Sequence, residues 1–474
     1  MTSLKSLVSA AMFAAALIPT TAGADIVISN DPTENMSCSS NACAPSRKHA
    51  VLNATDLLNM LATGSVTVNT SYYHHNHFRL LSVYVNVPLS WATPSVLSFE
   101  WDATINAPVT IMGTGGLNFG ESAFVYAPVT VMGAGSITTR LPINLSFAGS
   151  LTFWDLSSKF TENQQPVTLV GDVTTLAADI AAADGAGFFA LANDYDAGND
   201  TFSKAPIPEF KGYLIGLGHT ISNLTIKKGQ TSCEGLVSRN DGSITNIRLQ
   251  SARILSSSQR YVGGIAGCNY GTISVASVDG SINGASSASV GGIVGENIGQ
   301  VSSVYTTVSV SGGQAGGVAG ENHGSINYAY ATGSISGTGN TGGLVGANKT
   351  AIQECYSTAS VNGNGGTAGG LAGFNSDNIT ACYSTGTVVG SGYVGGFIGY
   401  NPNETVTNGY WDLDTSGISD PYQGSGFPKN DPSPVGLTTA QFQKRLPLGF
   451  DKPIWGLDPN INGGFPYLRY VPPQ

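Results

Sequence analysis

The chain has 474 residues, with 62 glycines, only 11% charged residues and a net charge of −10. Its apolar share of 41% is enough to build a core, which excludes general disorder. The thin acidic balance lacks the basic patch that nucleic-acid binding needs. Frequent glycine with sparse charge suits tight turns joining strands that stack on like strands, where identical charges would sit one rung apart.

Residues 1–24 read as a secretory signal, with Lys5, an apolar stretch from Leu7 to Ile18, and the small-residue run Ala22-Gly23-Ala24 before Asp25. No later run reaches the roughly 18 apolar residues of a membrane span. Residues 25–52 form a polar segment in which Cys38 and Cys43 are placed to close a small disulfide in an oxidising compartment. A brief helix is expected near Thr55 to Leu61. Across residues 53–160 the phrase Ala107-Pro108-Val109-Thr110-Ile111-Met112-Gly113 returns as Ala127-Pro128-Val129-Thr130-Val131-Met132-Gly133, predicting coils of about 20 residues. His74, His75 and His77 are donors of the kind a transition metal takes, with His75 and His77 sharing a strand face. No fourth ligand is evident, and surface exposure is the expectation. Residues 161–200 read as a junction, with one short helix from Thr174 to Ala183 and strands resuming at Phe188. Asp194, Asp196, Asn199 and Asp200 resemble a calcium loop, but Gly198 falls at the fifth position and no Glu closes it, so an acidic turn is expected.

Residues 201–401 carry the strongest signal. The phrase GG-x-x-G-x-N begins at Gly263, Gly291, Gly316, Gly342, Gly369 and Gly395, with a worn copy at Glu234. A period in this range marks a solenoid, each repeat being one coil that cannot bury its apolar face alone. Counting the first glycine as zero, Asn stands at plus six throughout, as Asn240, Asn269, Asn297, Asn322, Asn348, Asn375 and Asn401. A corner Asn can take left-handed backbone angles and bond the Asn one coil on, so a structural ladder is expected. A branched residue follows at plus ten. Cys355 and Cys382 share one place in consecutive repeats and read as small buried hydrophobes, whereas the pairing of Cys233 and Cys268 stays open.

From plus thirteen the repeat alternates with period two, as a strand does. Small or branched residues take the odd positions and point inward. The even positions give Tyr305 and Thr307, Tyr330 and Thr332, Tyr356 and Thr358, and Tyr383 and Thr385. These predict two columns on an exposed sheet face, serving as sheet reinforcement or as an aromatic strip that stacks on sugar rings or a partner protein. Glu296 and Glu321 share plus five in adjacent coils, about 5 Å apart and near a retaining-glycosidase spacing, where like charges would raise one pKa. A solvated turn is the preferred reading of that pair. Residues 402–474 leave the repeat and read as a cap over the last coil, with Tyr410-Trp411-Asp412, a capping box at Thr438 to Gln441, and Trp455, Phe465 and Tyr467.

The repeat, with its GGLVGAN phrase and the CYST motif after it, resembles the GLUG repeat of bacterial secreted proteins. The phrase Pro88-Leu89-Ser90-Trp91, the segment Phe189 to Asp194, Gly216 to Ile226, and the tail phrases at Gly436 and Gly464 are similar to filamentous-haemagglutinin-like proteins. The resemblance implies an all-β, right-handed parallel β-helix with a secreted or surface role, often adhesion. GLUG repeats also accompany immunoglobulin-A metallopeptidases, but no H-E-x-x-H occurs in this chain.

The resulting expectation is a non-enzymatic, adhesin-like β-solenoid, secreted or at the cell surface, with periplasmic residence as the alternative. It would bind an extracellular glycan or a host or neighbour-cell surface protein through Tyr305, Thr307, Tyr330, Thr332, Tyr356, Thr358, Tyr383 and Thr385, with no cofactor or metal. The alternatives are a carbohydrate-active lyase or glycosidase using Glu296 and Glu321, and a purely structural extracellular scaffold.

Overall fold

The computed structural model describes residues 25–474 apart from 40, 75–76, 230, 258–259, 404–405, 472 and 474. The signal-like residues 1–24 therefore lie outside the described residues. The described residues form a parallel β-solenoid of about 15 turns with three short helices.

In the first section each coil carries three strands, and the 20-residue shift is the rung register. Val109 pairs with Val129 and Ile111 with Val131, while Val96, Gly116 and Ser136 align on a second sheet. Inward Leu97, Phe99, Leu117, Phe119 and Ile137 fill the lumen. The segment expected to precede the solenoid belongs to it. Asp25–Ser29 pairs in parallel with both Ser82–Val85 and Ala50–Asn53, because Ile26, Ile28, Ala50 and Leu52 alternate into the core. The hairpin Met36–Ser39 with Ala42–Pro45 carries the Cys38–Cys43 disulfide.

The helices fall where expected, at Ala54–Leu61 behind an Asn53 cap and at Val173–Ala182 behind an Asp172 cap. The second helix closes the junction. Beside it, Phe188–Leu191 is a shared wall, with Phe189 and Leu191 facing the second core and Ala190 the first.

In the second section the motif's chemistry becomes geometric. The plus-six amides form a buried ladder, Nδ2 to Oδ1, at 2.7–2.9 Å from Asn240 through Asn269, Asn297, Asn322, Asn348 and Asn375 to Asn401, which donates to Asp431. Left-handed angles occur not there but at plus twelve, in Asn246, Val275, Ser303, Tyr328, Glu354 and Ala381. That single residue resolves a parity problem. Plus ten and plus thirteen both point inward although they are an odd number apart, and one left-handed residue flips the strand between them.

The plus-four glycine has a different task. A Cβ on Gly320 would lie 2.5 Å from Val290 N and 2.6 Å from Ser289 C, so two sheets meet there backbone to backbone. Gly320→Ala is therefore expected to cost about 1–3 kcal/mol, as overpacking does, whereas Gly64→Ala, with nothing nearer than 3.8 Å, should be neutral. Urea melts of both variants check this, and equal midpoints would refute it.

Parallel stacking continues past the expected boundary at 402. Val406–Asp412 pairs with Ile379–Ser384 and then with Pro434–Leu437, so Tyr410 extends the tyrosine column by one rung. Only then does the chain leave the coil, through the helix Thr439–Lys444 with its Thr438/Gln441 capping box.

Candidate binding surfaces

The tyrosines expected on an exposed face do point away from the lumen, and they stack in register, Tyr305 on Tyr330 on Tyr356 on Tyr383, at 5.2, 4.8 and 5.0 Å and within 10° of parallel. They are not exposed. Residues 438–471 lie along this flank, and Phe442, Phe450, Trp455, Leu468 and Val471 form a third apolar core with the column. Tyr356 and Tyr383 are 0% exposed. The Tyr383 hydroxyl donates to Pro466 O at 2.6 Å, the Tyr410 hydroxyl to Leu448 O at 2.9 Å, and the Trp455 indole to the Glu354 carboxylate. Burial raises the Glu354 pKa, only partly offset by that hydrogen bond. A second reason counts against sugar stacking along the column: each ring face already covers its neighbour. In the threonine column Thr307 is exposed, Thr332 and Thr358 are half-buried, and Thr385 is buried. Beside its Tyr305–Thr307 end lies a groove of about 310 Å³ lined by Thr220, Arg248, Gln250, Ser277, Asp279, Tyr305 and Thr307, in which Tyr305 itself is buried.

A second exterior surface lies where the two glycine-rich sheets meet. The residue two before each first glycine and the residue at plus five both point outward into a shared notch. Contacts cross it repeatedly: Tyr261 to Glu296, Ser289 Oγ to Glu321 at 2.7 Å, and Gln314 Nε2 to Glu321 at 2.6 Å. The Cys233–Cys268 disulfide is the covalent form of this crossing, since Cys233 pairs in register with Tyr261 and Cys268 with Glu296. Cys355 and Cys382 are free and buried.

Glu296 and Glu321 are register partners, as the spacing predicted. They are not a solvated turn, because Glu296 is only 9% exposed. Nor is the Glu321 pKa raised. Burial pushes it up, but hydrogen bonds from Ser289 and His323 and the Lys349 charge outweigh that and hold it below the ordinary value. Nε2 of His323 and Nζ of Lys349 each lie 3.2 Å from this carboxylate. The neighbouring Tyr261 phenol is pushed up to about 12, first by desolvation and then by both carboxylates.

The notch ends in a cluster not anticipated from the sequence. Along plus five, Phe374 stacks on Tyr400 at 5.8 Å and Tyr400 on Phe427 at 5.2 Å, while Tyr393 sits across the notch at 5.5 Å from Tyr400 and 5.3 Å from Phe427. Tyr393 is 47% and Phe427 40% exposed. The signal was present in the phrases GGLAGFN and GGFIGYN, whose plus-five residues are aromatic.

The other candidates disperse. Asp194 bonds His219, Asp196 bonds Asn223 and Gly198 N, and Asp200 accepts from Tyr195, so the carboxylates do not converge. His74 and His77 pair across the hairpin Ser71–His74 with His77–Leu80, and His75 lies outside the described residues. Among the described residues no group of three His, Cys, Asp or Glu side chains could hold a metal ion, and no helix is long and apolar enough to cross a membrane.

No protein-family model matches the chain. A stretch of 119 residues, 25% of the chain, is 32% identical to halomucin of Haloquadratum walsbyi (strain DSM 16790 / HBSQ001) and spans 1% of that protein's length. Among solved structures, the chain is similar to a Bacteroides ovatus protein described as a "putative immunoglobulin A1 protease". That match has a TM-score of 0.43 and 19% identity, and it covers 64% of this chain and 93% of the other.

Proposed function

We propose that this protein is an exported, surface-associated, non-enzymatic β-solenoid that acts as an adhesin-like module toward an extracellular glycan or a cell-surface protein. The observation that carries the reading is the aromatic cluster at one end of the notch, in which exposed Tyr393 and Phe427 stack with half-buried Phe374 and Tyr400. Contiguous aromatic surface of this kind is an interaction signal, and aromatic residues dominate contact energies. The signal-like residues 1–24 and the two disulfides support export. The test is binding of the purified protein to a glycan array and to whole cells, beside a Tyr393→Ser/Phe427→Ser variant of equal thermal stability. Loss of roughly tenfold or more in affinity is expected from removing such a contact centre. Unchanged binding by the variant would remove this surface from the function.

A second reading rests on the registered Glu296–Glu321 pair, as a carbohydrate-active site. The contacts that hold Glu321 ionised fit a nucleophile or base better than an acid. Polysaccharide cleavage that vanishes in Glu296→Gln/Glu321→Gln would establish it over the adhesin.

A further inference from the structure

We infer that one flat outer face of the first section is a docking surface for a second copy of this chain, the two solenoids lying antiparallel about a two-fold axis. The face belongs to the sheet of Leu89–Trp91, Val109–Ile111, Val129–Val131 and Leu151–Phe153. One outward column of it runs Ala92, Met112, Met132, Trp154. Backbone bonds hold that column in register: Met112 N donates to Trp91 O and Met132 N to Ile111 O at 2.8 Å, and Trp154 N to Val131 O at 3.0 Å. Met112, Met132 and Trp154 are 38%, 55% and 64% exposed, so three large apolar side chains stand in water on consecutive rungs. Uncovered apolar strips of this kind mark contact surfaces.

The rest of the face selects the partner. Beside the column stand hydroxyls, from Ser90 through Thr110 and Thr130 to Thr152, and beyond them prolines, beginning at Pro88. No outward residue of these four rungs is charged. Copies of a chain with a net charge of −10 repel one another, so they meet most readily where neither presents a charge. Interface cores are likewise depleted of charge and enriched in Met and Trp. A glycan finds here no carboxylate, amide or guanidinium to fix its hydroxyl groups. An anionic membrane finds no cation.

Shape fixes the arrangement. The column grades from Ala92, its smallest side chain, to Trp154, its largest, over four rungs. A two-fold axis lying along the strands, midway between the Met112 and Met132 rungs, reverses that order in the second copy. Trp154 then meets the partner's Ala92, and Met112 meets the partner's Met132. Parallel copies that met along this column would set indole against indole at one end and leave a gap at the other. Methionine adapts its rotamers to fill what remains. A two-fold contact of this kind is isologous and closed, so it stops at the dimer. At about 4.8 Å per rung and 3.3 Å per residue the face measures about 19 by 16 Å. That is small against the roughly 800 Å² each partner gives a stable interface, so the pair is weak, with a Kd on the order of 10 μM. Two joined copies carry two notches, which raises avidity for a repetitive surface.

The pairing goes beyond the proposed recognition of a ligand and does not depend on the notch. Sedimentation equilibrium of the purified protein from about 1 to about 200 μM brackets that Kd and should show a monomer–dimer equilibrium. Ala92→Trp sets ring against ring, and Trp154→Ala empties the contact. Each should weaken the dimer about tenfold or more with the melting temperature unchanged. The swap Ala92→Trp/Trp154→Ala rebuilds the taper in reverse and should regain the wild-type Kd within about threefold. The two positions lie three rungs apart on one chain, so that recovery comes from contact between copies. Monomer at every concentration, a dimer indifferent to both single variants, or a swap that recovers nothing would overturn the pairing. Should Ala92→Trp not fold, Trp154→Ala alone decides it, an unchanged Kd overturning the inference. A monomer whose binding to neutral-lipid vesicles or to a glycan array is lost in Trp154→Ala would also overturn it, giving the face to that occupant.

Discussion

Trp455→Ala should release residues 438–471 from the tyrosine column while the coils stay folded. The indole is fully buried, with its ring 4.5 Å from Phe450, 5.9 Å from Tyr383 and 6.0 Å from Tyr356. Truncating a buried Trp costs about 3–5 kcal/mol. The variant also strips the Glu354 carboxylate of its indole donor. Those losses fall on the third core, which the C-terminal segment makes with the outside of the sheet, and not on the lumen core that holds the coils together. Short covers of this kind open locally when their anchor goes. Limited proteolysis should then cut within 438–471 at rates well above wild type, and hydrogen exchange should quicken around Tyr356 and Tyr383. Trp411→Ala is the contrast, because Trp411 belongs to the lumen core and its loss should lower the global transition. A Trp455→Ala protein that unfolds as a whole, with no local opening, would show that cover and coils are one cooperative unit.

That contrast shows where a periodic sequence is legible and where it is not. Each coil repeats its neighbour's environment, so the 20-residue phrase and the Asn column predict register directly, and Val109 does meet Val129. Period-two alternation correctly sent Tyr330 and Tyr356 out of the lumen. Outside the lumen is not the same as in water, however. What covers an outer face is a tertiary event, set here by a non-repeating tail that folds back over rungs made earlier. Nothing in the local pattern of Tyr356 encodes Trp455. The disulfide was hidden for a related reason. Cys233 is 28 residues before its register partner Tyr261, while Asn240 is 29 before Asn269, so the worn repeat slips by one residue and counting from its first position misplaces the cysteine. The first strand, Asp25–Ser29, alternates as plainly as any other, but its parallel partners lie 24 and 57 residues away and share no phrase with it. The aromatic end of the notch was readable at plus five, yet only the meeting of two sheets brings Tyr393 to Phe427. Columns can be read from the repeat; the faces that meet across a corner cannot.

A charge buried near the junction yields the second large effect. Glu162 is 3% exposed, its Oε1 accepting from Ile143 N at 2.9 Å. Desolvation pushes its pKa up to about 7, only partly offset by hydrogen bonds from Ile143 and Tyr213. The direction fixes the sign. An acid whose folded pKa lies above its unfolded value binds its proton more tightly in the folded state. Its contribution is therefore fully present below the unfolded value of 4.5 and is lost as pH rises through about 7. A displacement of this size corresponds to about 3 kcal/mol at 1.36 kcal/mol per pKa unit. Glu162→Gln keeps an oxygen for Ile143 N and has no proton to lose, so its stability relative to wild type should climb between pH 5 and pH 8 by about 2.5 kcal/mol. Asp194 and Glu321, both lowered, slope the other way, but they do so equally in the two proteins and cancel from the difference. Urea midpoints for both proteins at pH 5, 6, 7 and 8 measure it. A difference that stays flat across that range would mean that Glu162 is ionised in the folded protein throughout, with its charge compensated within the first core.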